Sequence, residues 1–323
     1  RVGTVLVWDL DETLIIFNSL LTGSFSGLSK EEMTGENAKS LANFAEQLET
    51  LVYAVAEKSF FFKSLEGRNY WNLWAATHGD DGRQLEEYKF DEDGLQARQT
   101  AGDAVVEESG ADKLKSALRY RLVKERFETA RADEAGLKKI VGEQECSGAQ
   151  SYVEAIDALA DKWLSTAEEV LGNIWQFDTV LDSLATAKPP LRSHRQYEEL
   201  KKKALEGGFK FEAKPKESGQ PGAGAGNKTH VNVLVTNGEL GPTLAKLLLF
   251  GLHKFFHPSC IMSSREVGKQ VCFAEVVRRF RGAEKIVSIG DSKEEESAAT
   301  NCNFEFIKVA TVEDIRRVQD FLQ

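Results

Sequence analysis

The stretch LVWDLDETL, Leu6 to Leu14, carries an apolar segment into two carboxylates one residue apart and then a threonine. Up to Trp8 it is rich in Val and Leu without polar alternation, the pattern of a strand covered on both faces, as in a parallel sheet. Asp9 and Asp11 then fall just past the carboxyl end of that strand, where open α/β sheets place their ligands. Two carboxylates so close repel each other and resist ionisation. A bound cation removes the difficulty, and Mg²⁺, a hard ion that prefers carboxylate oxygen, suits them. The competing reading is a plain turn in which Asp11 or Thr13 caps a following helix, since Asp and Thr are common there. D-x-D-x-T alone does not choose between the two, so partners are needed downstream.

Composition narrows the classes. The chain has 323 residues, 41% hydrophobic and 28% charged, which is ordinary for a soluble globular protein and long enough for two domains. Its net charge is −10, and no basic stripe interleaves with aromatics, which argues against a nucleic-acid surface. The run Lys201-Lys202-Lys203 reads as a solvated helix face. Cys146, Cys260, Cys272 and Cys302 form no C-x-x-C pair, so free thiols in a reducing compartment are expected rather than disulfides or zinc. No stretch approaches the apolar length of a membrane span, and Arg1 leads straight into a strand with nothing like a signal peptide. The expectation is a soluble, intracellular protein without membrane contact.

From about Leu28 to about Leu184 the pattern is mostly helical, with apolar i, i+3, i+4 spacing. Ala117 to Phe127 fit one amphipathic helix, and Tyr152 to Leu171 another. Between them, Gly and Asp clusters break the period, and Trp71, Trp74, Tyr88 and Phe90 read as a satellite core. Residues 188–228 contain Pro189-Pro190, the lysine run and ESGQPGAGAGN, a stretch expected to form a mobile linker or loop. Three further apolar strands follow, in VNVLVTNGEL (231–240), KIVSIGDS (285–292) and FEFIKV (304–309), separated by helical patterns. The expected organisation is a discontinuous α/β core, 1–27 and 229–323, interrupted by a helical cap insert, 28–187, and a flexible Gly-, Pro- and Lys-rich linker or loop, 188–228.

The candidate chemistry sits at strand ends. Thr236 closes the second strand with a hydroxyl able to donate to a phosphoryl oxygen, although a helix N-cap is the plainer reading of it alone. Lys269 opens an amphipathic helix and offers a point charge for phosphate or a neighbouring carboxylate. Gly290-Asp291 ends another strand, with Glu294, Glu295 and Glu296 in the next turn, where acids also favour the helix dipole. Each piece is weak alone. A strand with DxDxT, a strand ending in Thr, a helix with Lys and a strand with GDxxxE, in that order, do not fall together by chance.

That order is the order of the four motifs of haloacid dehalogenase superfamily phosphotransferases, which the chain resembles. More narrowly, WDLDETLIIFNSLLTGSFS (8–26), VNVLVTNGELGPTLAKLLLFGL (231–252), GKQVCFAEVVRRF (268–280) and IGDSKEEESAA (289–299) resemble the Eyes absent family of phosphatase-transcription cofactors. RYRLVKERF (119–127) and DKWLSTAEEVL (161–171) extend the likeness into the insert. At VTNGEL the chain carries Asn237 and Glu239 where animal members have a second threonine and a glutamine. This variation and the Gly-rich loop make it similar to a plant-type member. The resemblance implies a Rossmannoid core with a parallel sheet and an inserted helical cap. It also implies Mg²⁺-dependent protein tyrosine phosphatase activity.

By that resemblance Asp9 is the nucleophile that becomes an aspartyl-phosphate, and Asp11 the general acid/base. Asp9, the Asp11 carbonyl and Asp291 would hold Mg²⁺. Thr236, Asn237 and Lys269 would hold the phosphoryl oxygens, with Glu295 beside a metal-bound water and Thr13 supporting. A phosphotyrosine protein or peptide would be the substrate, transcription factors the partners, and nucleus or cytoplasm the location, with a developmental regulatory role. A thiol phosphatase is the decoy: Cys272 and Arg278 make a formal C-x5-R, but the intervening residues are apolar helix formers with no glycine to turn N–H groups toward a phosphate. The alternatives are a small-molecule aryl phosphatase of the same fold and a cofactor scaffold.

Overall fold

The computed structural model describes residues 2–25, 35–68, 70–77, 79–97, 109–174, 181, 194–213 and 229–322. Its centre is a five-stranded sheet in which every pairing is parallel: β1 (Val2–Trp8), β2 (Thr229–Thr236), β3 (Ile261–Ser263), β4 (Lys285–Gly290) and β5 (Glu305–Lys308), in the order β3-β2-β1-β4-β5. β1 is central and buried from Gly3 onward, as its uniform apolar pattern requires. Alternation along the strands divides the core in two. Val5, Val7, Val231 and Val233 face one side, while Leu6, Trp8, Leu234 and Ile289 face the other. Burying each such side chain contributes roughly 1.5–3 kcal/mol. The Trp8 indole, buried on its side, donates to Asn232 Oδ1 at 2.9 Å and ties β1 to β2.

Between β1 and β2 come the helices α1 (Gly35–Phe60), α2 (Gly110–Ala132), α3 (Glu134–Val141), α4 (Glu143–Leu159), α5 (Trp163–Gly172) and α6 (His194–Leu205). After β2 come α7 (Leu240–Leu249), α8 (Lys269–Arg279), α9 (Lys293–Cys302) and α10 (Val312–Arg316). Helices α1 to α5 share one apolar cluster with α7 and the Leu6/Trp8 face, so the insert is welded to the core. Among the described residues, no helix is long and apolar enough to cross a membrane. The four cysteines are free.

Three expectations change. The predicted helix over 152–171 is two helices, because Asp161 and Lys162 take left-handed φ values of 52° and 60°. The Asp157 carboxylate accepts from Leu164 and Ser165 N–H at 2.8 and 3.1 Å, satisfying the donors that the break exposes. Within the expected linker 188–228, residues 194–205 form a helix, and Leu200, Ala204 and Phe211 are buried in the cluster that contains α8. Lys202 and Lys203 are exposed on it. The Gly-rich stretch 218–227 and Pro189-Pro190 lie outside the described residues. Finally, β3 is a three-residue strand whose IMS sequence is too short to signal itself. Of the satellite aromatics, Trp71 is buried and Tyr88 packs edge-on to Phe90 at 4.8 Å.

Candidate active site

In a sheet of this order the chain winds outward from β1 to β3 and then returns to the other side at β4, so the crevice opens at the carboxyl ends of β1 and β4. Asp9 continues β1 past Trp8 and donates its N–H to Ile289 O at 2.9 Å. Asp9 is 8% exposed. Asp291 follows the last residue of β4, one step beyond Gly290, and is half-buried. Gly290 is required here: a Cβ on it would stand 2.9 Å from Glu295 Cγ.

Lys269 reaches the same point from the first turn of α8 and is 2% exposed. Its ammonium donates to Asp9 Oδ1 at 2.5 Å and to Val235 O at 2.8 Å, and pairs with Glu295 Oε1 at 2.8 Å. Glu295 also accepts from Ser292 N–H at 2.9 Å and from the Ser292 hydroxyl, and Ser292 caps α9 in return. The favourable helix start and the site are thus one device. Glu295 holds the lysine, and its oxygens are engaged by Lys269 and Ser292.

The charge does not balance. Burial drives the Asp9 carboxyl up to about 7, against the pull of Lys269, with Glu295 and Asp11 adding to the rise. Burial and Glu295 likewise raise Asp291. For Glu295, burial acts upward but Lys269 and Ser292 bring the carboxyl below its ordinary value. Burial opposes the charge on Lys269, yet Asp9 and Glu295 outweigh it and raise its pKa.

Asp11 and Thr13 stand on a tight loop, not on a helix start. Leu14 and Ile15 N–H both donate to Leu10 O, Glu12 takes φ 61°, and the Glu12 carboxylate accepts from Phe17 and Ser19 N–H at 3.1 and 3.0 Å. The capping alternative is therefore excluded. Thr13 is fully buried, and its hydroxyl meets no partner among the described residues; its carbonyl accepts from Trp163 Nε1 at 3.0 Å, joining the loop to α5. The Asp11 carboxylate is gripped by Lys246 of α7 at 2.7 and 2.9 Å. Lys246 escaped the sequence reading, although a lysine interrupting the apolar LAKLLL was a signal.

Thr236 ends β2, is 1% exposed, and accepts from Gly238 N–H at 3.3 Å, which leaves its hydroxyl proton to donate. Glu239, not Thr236, stands at the N-cap position of α7, without a side-chain hydrogen bond to the helix. Asn237 is exposed beside it. Two serines also escaped prediction: Ser264 donates N–H and hydroxyl to Thr236 O at 2.7 and 3.1 Å, and the Ser263 hydroxyl donates to Gly238 O at 2.6 Å, fixing the turn. Cys272 is fully buried, its thiol pushed far up by burial, and Arg278 is paired with Glu275 at 2.6 Å, so this C-x5-R is no phosphate loop.

Among the described residues, no three His, Cys, Asp or Glu side chains are grouped to hold a metal ion. Asp9 and Asp291 nevertheless follow the carboxyl ends of the adjacent strands β1 and β4, and their oxygens are of the kind a hard cation takes. Asp9 and Asp291 offer carboxylate oxygens with surplus negative charge, the Asp11 carbonyl is a third oxygen, and Mg²⁺ ordinarily keeps several waters. Beside Asp291 opens a groove of about 370 Å³ that Glu12, Ser19, Phe25, Trp163 and Lys308 help to line.

No protein-family model matches the chain. Individual proteins do. Protein phosphatase eya of Drosophila melanogaster is 28% identical over 97% of this chain and 34% of its own length. Protein phosphatase EYA3 of Homo sapiens is 29% identical over 99% of the chain and 46% of its own length. Protein phosphatase EYA of Arabidopsis thaliana is 28% identical over 94% of the chain and 82% of its own length. The chain thus spans between about a third and a half of the length of these two animal relatives. With a parallel α/β core of haloacid dehalogenase type, the chain is similar to Eyes absent protein phosphatases along nearly its whole length.

Proposed function

We propose that the chain is a Mg²⁺-dependent protein tyrosine phosphatase in which Asp9 is the nucleophile and Asp11 the general acid/base. The observation that carries this is Asp9 itself: a buried carboxylate at the strand end, 2.5 Å from a lysine that must also serve Glu295, with Asp11 two residues further along its loop. Phosphoryl transfer asks chiefly for positioning and charge neutralisation, and these residues supply both.

An Asp9 oxygen attacks phosphorus; the new O–P bond forms as the bond to the aryl oxygen breaks, giving an aspartyl-phosphate. The leaving oxygen takes a proton from Asp11. Asp11 then removes a proton from water, the water oxygen attacks phosphorus, and the Asp9 O–P bond breaks to release inorganic phosphate. Lys269, the Thr236 hydroxyl and the Asn237 amide hold the phosphoryl oxygens. Mg²⁺, held by Asp9, Asp291 and the Asp11 carbonyl, would offset the charge between the phosphate dianion and Asp9. A phenolate, with pKa near 10, needs a proton less than an alkoxide does. That favours tyrosine for a site whose acid is gripped at rest by Lys246. The family's regulatory role, its transcription-factor partners and a nuclear or cytoplasmic location belong to the same proposal.

The test is hydrolysis of phosphotyrosine, phosphoserine and phosphothreonine peptides, with Mg²⁺ and with EDTA. Release from phosphotyrosine alone, lost in EDTA and in Asp9→Asn, is the expected result. Activity indifferent to both but lost in Cys272→Ser would overturn the mechanism. No turnover of any peptide would leave a small-molecule substrate or a scaffold.

A further inference from the structure

Four side chains from separate segments meet at the mouth of the site, where the insert approaches the end of β2. Tyr53, on α1, is 46% exposed although Val52, Val55 and Ala56 beside it are buried. Its ring packs on Phe62 with centroids 5.4 Å apart. Phe62 in turn lies over the start of α7, where a Cβ on Gly241 would stand 3.9 Å from its ring. At that helix start Glu239 pairs with Arg265 at 3.4 Å, and the arginine keeps 52% of its side chain in solvent. Arg265 follows Ser264, whose N–H donates to Thr236 O at 2.7 Å, so this pair stands at the β2 end of the site. Burial first, then Glu49 and Glu239, raise the Tyr53 phenol.

A single exposed aromatic on a helix is ordinary and needs no explanation. Leu205, more exposed still at 68%, is such a case at the end of α6. Tyr53 differs in that its ring is already packed on a second aromatic, so little freedom remains to be lost when a third is added. It differs also in being packed, through Phe62, on the helix start where Glu239 steers a cation without enclosing it. A packed aromatic face beside an arginine is matched by an aromatic ring flanked by negative charge.

We propose that Tyr53, backed by Phe62, is the platform on which the ring of the substrate's phosphorylated tyrosine rests, and that Arg265, aimed by Glu239, engages an acidic side chain next to that tyrosine. This inference rests on the tyrosine phosphatase reading above and names what selects the substrate: a phosphotyrosyl peptide with an acidic flank.

Steady-state kinetics of the full chain test it on three substrates: a phosphotyrosyl peptide with Glu on both sides, the same peptide with neutral flanks, and acetyl phosphate, which has no ring. For Tyr53→Ala, the ratio of kcat/KM on either peptide to that on acetyl phosphate should fall about three- to tenfold, through KM. Tyr53→Phe, which keeps the ring, should restore the ratio. Arg265→Ala should raise KM for the Glu-flanked peptide about two- to fivefold more than for the neutral one. An unchanged ratio in Tyr53→Ala, or a fall carried by kcat alone and not restored by Tyr53→Phe, overturns the platform. Equal KM changes on the two peptides in Arg265→Ala overturn the charge contact. Wild-type turnover of acetyl phosphate without the peptides breaks the tyrosine reading and this inference with it. Normal peptide turnover with an unmoved ratio breaks the inference alone.

Discussion

Two buried ion pairs, one in the insert and one at the strand ends, are built from the same chemistry and end in opposite states. In the insert, Arg119 holds Asp93 by two hydrogen bonds at 2.6 and 3.0 Å. Asp93 also accepts from the Tyr88 hydroxyl and Leu95 N–H. The guanidinium donates to Phe90 O and the Ser64 hydroxyl, and lies near the rings of Phe61 and Phe90. One cation meets one carboxylate there. Burial acts to raise the Asp93 carboxyl, but Arg119 and the other donors bring it below its ordinary value. At the strand ends, one lysine serves two carboxylates, a third stands nearby, and Asp9 rises to about 7. A buried pair that closes its own charge is scaffold. One left with surplus negative charge is arranged for something positive, which is how functional sites depart from structural ion pairs.

The largest break of that comparison comes from neutralising each carboxylate in turn. Asp9→Asn removes the proposed nucleophile and should lower kcat/KM on a phosphotyrosyl peptide by at least about 10³-fold while the protein stays folded. Asp93→Asn leaves Arg119 buried without its counter-charge and should cost about 3–5 kcal/mol of stability, with kcat per folded molecule near the wild-type value. Urea unfolding and activity measured on the same samples separate the two. An Asp93→Asn protein of normal stability and no activity would erase the distinction.

A step smaller, pH should act on the two clusters with opposite sign. The Asp9 carboxyl is raised from 3.8 to about 7 on folding, so its contribution to stability is present below pH 4 and is lost as pH rises through about 7. The slope can reach about 1.4 kcal/mol per pH unit. The Asp93 carboxyl is lowered on folding, so its contribution is present above pH 4 and is lost as pH falls. Thermal unfolding in EDTA between pH 4 and 8 should therefore show an alkaline loss that Asp9→Asn removes. Mg²⁺ should flatten the same loss. An Mg²⁺-independent profile would mean that the surplus charge has another partner.

How these clusters could be foreseen differs too. The strand-end site was legible because its residues sit at fixed offsets from apolar strands: Asp9 and Asp11 after β1, Thr236 after β2, Asp291 after β4. Chain order alone placed them together. Lys246 was not singled out, because nothing local to α7 states that its turn faces Asp11. Ser263 and Ser264 depend on β3, whose three residues carry no period. The Arg119–Asp93 pair joins residues 26 positions apart across a Gly- and Asp-broken stretch, and neither residue type announces burial. The split of 152–171 was hidden because Asp161 and Lys162 look ordinary in a helix; only the Asp157 cap shows what stabilises the break.

The finest test lies between the two regions, at the hydrogen bond from Trp163 Nε1 to Thr13 O. It belongs to the insert by its donor and to the catalytic loop by its acceptor. Trp163→Phe keeps an aromatic ring in the cluster but leaves the Thr13 carbonyl buried without that donor, which should cost about 1 kcal/mol of stability. If α5 only fills space, nothing else should change. If it holds the loop that aims Asp11, kcat should also fall a few-fold while KM for a phosphotyrosyl peptide stays put, since the proposed phosphate contacts lie on β2 and α8. The split between kcat and KM therefore decides whether the insert merely covers the core or sets the geometry of its acid/base. A kcat equal to wild type at the expected small loss of stability would assign Trp163 to packing alone.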